Sequence, residues 1–133
     1  MTAERDLARL LAGMEPQMRP GEVVYVTRPT LTDDVTAIAW VREDEGVTLV
    51  LDRGEADRMS FAYEFVAAMI TLRVHSALEA VGLTAAVAGA LTDAGIPCNV
   101  IAGYFHDHVF VPAEQGDRAM EVLRVVAGAS PSR

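Results

Sequence analysis

A chain of 133 residues with 51% hydrophobic content can bury a core, but it fits one domain or two very small units sharing an interior. Nineteen Asp and Glu against eleven Lys and Arg give a net charge of -8, a field that repels nucleic-acid backbones and anionic membranes. No apolar run approaches the roughly 20 residues of a membrane span, the start MTAERDLARLL lacks the features of a signal peptide, and the single cysteine, Cys98, fits a reducing cytoplasm.

Leu7, Leu10, Leu11 and Met14 recur at helical spacing and predict a helix over residues 3–14. Pro16, Pro20 and Gly21 predict a connector after it. The run EVVYVTR over 22–28 is β-branched and aromatic, and Pro29 stops it as a strand. Asp33 and Asp34 read as a turn. Residues 35–41 and 47–51 predict two strands joined by an acidic, solvated loop over 42–46, with Gly46 suited to a hairpin. Asp52, with Glu55 three residues on, resembles an N-terminal capping pattern and predicts a short helix to Met59.

Residues 65–75 are apolar enough for a strand buried on both faces. The helix predicted over 78–94 is rich in small residues, with Leu83, Val87, Leu91 and Ala94 as its apolar stripe, Gly95 as its left-handed terminator and Pro97 as the break. Residues 98–103, which place Cys98 as a small buried hydrophobe, pair with 107–111 as a hairpin. A last helix over 113–127 buries Ala119, Met120, Leu123 and Val126, and residues 129–133 form a disordered tail. The order α-β-β-β-α-β-α-β-β-α predicts an α+β sandwich with helices on one face of an antiparallel or mixed sheet. From Phe65 onward, β-α-β-β-α is a ferredoxin-like unit lacking its last strand, a vacancy that a strand from the first half could fill.

The turn before the alanine-rich helix exposes the backbone N–H groups of Val81, Gly82, Leu83 and Thr84 at a positive helix end, where a carboxylate can be held without a basic side chain. His75, Ser76 and Glu79 in the same turn are further candidate contacts. His106 and His108 have the i, i+2 spacing that sets two imidazoles on one face of a strand, with His75 as a conceivable third, so a metal site is the rival reading. No GxSxG, HExxH, P-loop or dinucleotide-binding glycine pattern is present, which points away from an enzyme and from a cofactor.

Residues 66–127 resemble the ACT domain, a small ferredoxin-like regulatory module that binds amino acids. The match lies in the strand MITLRVHS, the Gly82-Leu83 turn, the helix ending LTDAGI and the strand CNVIAG. The whole chain resembles small bacterial proteins of two ACT-like units, here 1–64 (an imperfect unit) and 65–128. The segment GLTAAVAGALTDAGIPCNVIAGYFHDHVFVP is similar to the ACT repeats of eukaryotic cytosolic arginine sensors. That resemblance implies an acid contacting the ligand at Asp107, with Gly103 and Tyr104 in the adjoining loop. The sensors' acid just before the turn glycine has its counterpart offset by one position, at Glu79. The implied function is a non-catalytic regulatory module that binds an amino acid or related carboxylate and works as a homo-oligomer, a dimer above all. The rival classes are a structural or interaction module without a ligand, in which Asp107 is only a turn former and Gly82 only a close-approach residue, and the histidine metal site.

Overall fold

The computed structural model describes residues 6–74 and 82–128. The chain divides into two units, one formed by Met1–Arg19 with Ala68–Arg133 and the other by Pro20–Ala67.

In the first unit the Asp6 carboxylate accepts from the Arg9 N–H at 3.1 Å and opens α1 (Leu7–Gly13), which ends one turn later than it takes Leu10 to reach full burial. Residues 16–21 are not all connector. Glu15–Met18 is a strand, β1, antiparallel to β5 (Val66–Arg73), with Glu15 opposite Arg73 and Met18 opposite Ile70. Its polar, proline-containing sequence EPQM carries no strand signal of its own. Pairing is imposed by the open edge of β5, and Pro16 is tolerated because a short outer strand can leave one side of its backbone without a partner. This is the strand that the ferredoxin-like run lacks. β5 itself has four consecutive buried residues, Ala67, Ala68, Met69 and Ile70, as a strand covered on both faces requires.

The alanine-rich helix α3 runs Leu83–Asp93, and of the residues expected before it, 78–81 lie outside the described ones. Gly95 follows in the left-handed region at φ 76°, so its place as terminator holds. β6 (Asn99–Ala102) and β7 (Asp107–Pro112) pair antiparallel, Asn99 with Phe110 and Ala102 with Asp107, and β7 lies beside β5. A 3-10 turn, Ala113–Gln115, leads into α4 (Gly116–Gly128). The strand order is thus β1-β5-β7-β6. Leu10, Ile70, Leu72, Leu83, Val87, Leu91, Val109, Val111 and Leu123 form one core between these strands and the helices. Val126, expected inside, is only half-buried. Residues 129–133 lie outside the described ones.

In the second unit β2 (Val23–Arg28) pairs antiparallel with β4 (Gly46–Asp52), β4 with β3 (Ala39–Glu43), and the first residues of β5 close on β2 through Val66 opposite Val24. The connection from β2 to β3 crosses over β4, which lies between them. The loop expected over 42–46 shrinks to a two-residue turn, Asp44-Glu45, since Glu43 pairs directly with Gly46. Helix α2 (Arg53–Arg58) packs Ala56 onto Val24, Val26, Val47, Leu49 and Leu51. Asp52 precedes it without a side-chain capping bond. Glu55 acts elsewhere: it accepts from the Thr36 N–H at 3.0 Å and from Arg58 at 2.9 Å, which holds its carboxyl down to about 2 and pins residues 34–36 over the helix.

A consequence of the N-terminal segment's place in the first core can be measured directly. Leu10→Ala removes a fully buried side chain held between helices and is expected to cost about 2–5 kcal/mol in urea denaturation, as a core leucine does. A midpoint unchanged from wild type would mean that α1 is peripheral.

Candidate functional site

The chemistry-bearing residues of the first unit gather at one end of its sheet. The Thr71 hydroxyl and the His108 ring Nδ1 lie 3.0 Å apart, and the His106 Nδ1 lies 3.4 Å from the Val74 carbonyl oxygen. Numbers rising along β5 meet numbers falling along β7, so those strands are antiparallel. β6 is antiparallel to β7 and therefore parallel to β5. A helix joining two parallel strands must run back along them. Hence α3 begins at the sheet end where β5 stops, which is also the end that carries the β6–β7 hairpin tip.

At the start of α3, Gly82 has φ 107°, a conformation that side-chain-bearing residues rarely adopt, and it offers no side chain to cap the helix. The Ala86 N–H bonds back to the Gly82 carbonyl at 2.8 Å, which leaves the N–H groups of the first turn without intrahelical acceptors. Leu83 points into the core and Thr84 is exposed. Leu7 of α1 lies over Gly82, 3.2 Å from where a Cβ would stand, so the glycine also serves close packing. Val81, His75, Ser76 and Glu79 lie outside the described residues.

At the hairpin tip the Gly103 N–H donates to the His106 carbonyl at 2.9 Å, which commits that amide to the turn. Tyr104 is 74% exposed and stacks edge-on with Phe105 at 5.1 Å. Asp107 differs from a surface turn former. It is only 9% exposed, the one buried acidic or basic residue among those described. It alternates with Val109 and Val111, both core residues, and so occupies the face that the helices cover. Among the described residues none donates a hydrogen bond to its carboxylate. Burial pushes its pKa above the usual carboxylate value, with the neighbouring His108 and His106 pulling the other way. Burial likewise holds the His108 pKa below the ordinary imidazole value.

The fold therefore places the amide-rich start of α3 and the largely buried Asp107 carboxylate at the same end of the sheet. It can meet a negative group at the first and a positive group at the second. The histidines act as tethers from hairpin to β5, and no group of three or more metal-ligating side chains occurs among the described residues. Sequence reasoning did not select Thr71. A lone hydroxyl in an apolar strand was its only signal.

Two family models, each described as an ACT domain, match residues 2–68 and 64–125. A Vibrio cholerae protein of unknown function, named as a possible transport protein, shares 43% identity over 91% of this chain and 95% of its own, with a TM-score of 0.82. An Agrobacterium tumefaciens protein matches at 14% identity over 86% of this chain and 89% of its own, TM-score 0.68. The ligand-free regulatory subunit of aspartate kinase from Thermus thermophilus matches at 8% identity over 87% and 97%, TM-score 0.65, and shows likeness of fold alone. No curated protein matches the chain by sequence. With ACT models on both halves and a close relative spanning nearly all of it, the chain belongs to the ACT domain family.

Proposed function

We propose that this chain is a non-catalytic regulatory module that binds a free amino acid, or a related carboxylate, at the sheet end where α3 begins. The Asp107 carboxylate, 9% exposed, carries the reading, since an acid largely withdrawn from water is stabilised when a cation reaches it. In this reading the ligand ammonium meets Asp107, and its carboxylate meets the N–H groups of Gly82, Leu83 and Thr84, with Val81 beside them. Gly103 and Tyr104 form the rim, and His75, Ser76 and Glu79 stand as further contacts. The family match and the likeness to an aspartate kinase regulatory subunit support a regulatory role. The two ACT-like units are 1–64 and 65–128 in sequence, and the protein acts in the cytoplasm as a homodimer, without nucleic acid or membrane. No described helix is long and apolar enough to cross a membrane.

A thermal-shift screen against the twenty amino acids tests this. One or a few should raise the midpoint, because a ligand at about 100 times its Kd adds about 2.7 kcal/mol, and Asp107→Asn should lose that response. A flat panel would leave the interaction-module reading in its place.

The same substitution carries an opposite effect without ligand. Because burial raises the Asp107 pKa above its ordinary 3.8, the folded chain holds that proton more tightly than the unfolded chain. Its contribution is complete below 3.8 and is lost as pH rises through the raised value. Asp107→Asn should therefore be more stable than wild type at neutral pH, with the gap closing as pH falls toward 3.8. His108, shifted downward by burial, loses stability as pH falls through its lowered value, and because the Asp107 charge pulls that value up, the loss is larger in Asp107→Asn, which narrows the gap further on the acid side. Urea midpoints across pH read the difference, and a wild type more stable at neutral pH would show that the carboxylate is well satisfied.

A further inference from the structure

We infer that the ligand of this sheet end carries a bulky apolar side chain, so that branched aliphatic and aromatic amino acids are preferred over small and charged ones. This rests on the amino-acid reading above and names the class that the same site takes. Among the described residues of the first unit, the exposed large apolar side chains are Leu7, Tyr104, Phe105 and Val125. Three of them, Leu7 at 38% exposure, Phe105 at 64% and Tyr104, stand at the end where α3 begins. Val125 lies apart from them, beside Ala90 and Val122 between α3 and α4.

The local structure fixes each of the three where it is. Leu7 is the first residue of α1, opened by the Asp6 carboxylate on the Arg9 N–H, and its methyl carbons lie against Gly82. It is an apolar wall beside the first-turn N–H groups of α3. Tyr104 and Phe105 are set by the Gly103 to His106 turn and by their own edge-on contact, on the hairpin tip that leads directly into Asp107. An amino acid carries its carboxylate, ammonium and side chain on one carbon. With the first two taken by the α3 amides and Asp107, the third leaves that carbon toward Leu7 and the aromatic tip. The polar rings nearby are engaged within the fold, His108 with the Thr71 hydroxyl and His106 with the Val74 carbonyl. A charged side chain here loses water without gaining a partner, whereas an apolar one gains by leaving it.

Calorimetric titration of the full chain with L-leucine, L-phenylalanine, L-alanine, L-lysine and L-glutamate measures the preference. Each methylene withdrawn from water is worth about fourfold in affinity, so leucine or phenylalanine should bind at least about tenfold more tightly than the other three. Phe105→Ser and Leu7→Ser, at solvent-open positions, should each draw the leucine-to-alanine affinity ratio toward one, a change that general loss of structure does not produce. Where Leu7→Ser fails to fold, Phe105→Ser alone decides. Lysine or glutamate binding as tightly as leucine overturns the apolar class and leaves the amino-acid reading standing. A leucine preference untouched by either substitution also overturns the inference, because the selecting surface then lies elsewhere. A chain that binds no amino acid at all overturns both readings together.

Discussion

The bare backbone edge of β5 is the constraint from which the first unit follows. A strand-helix-strand-strand-helix run folds into three strands with β5 open on one side, and buried amide and carbonyl groups must find partners. The chain supplies them from its far N-terminus: residues of β1 pair with Thr71 to Arg73 and with Ile70, and α1, one residue before β1, is drawn over the helices. Leu10 then becomes part of the same interior as Leu91 and Leu123, and Leu7 reaches Gly82. The N-terminal helix is thus placed by a strand whose own sequence would not form one.

That constraint also marks where sequence reading worked and where it stopped. Elements whose apolar pattern matches their own burial, such as 23–28, 66–73 and 83–93, were legible, as were the glycine stop at 95 and the fold class. Glu15–Met18 was not, because the information lies in the vacancy it fills and not in EPQM. The same limit applies to the candidate site. That Asp107 and the start of α3 share one sheet end follows from strand directions, so the pattern β-α-β-β suffices to place them together. The face that Asp107 takes was legible in its alternation with Val109 and Val111, but not how completely the helices cover the first residue of that strand.

Glu55 and Asp107 show how burial decides the meaning of an acid. Glu55 is held by Arg58 and by the Thr36 N–H, and its charge is an anchor for a loop. Asp107 is largely buried with imidazoles nearby and receives no comparable donors among the described residues, so burial works against its charge.

The path of the chain through β1 has a bearing on how the molecule can be dissected. The second family match begins at residue 64, yet a polypeptide cut there would leave behind Leu10, Met14 and the strand that zips onto β5. Such a half would expose a raw sheet margin and an uncovered hydrophobic floor, and its natural fate is clumping. The two stretches matched as ACT domains are therefore not separable parts, and swapping one between relatives requires carrying the first nineteen residues along with the last sixty-six.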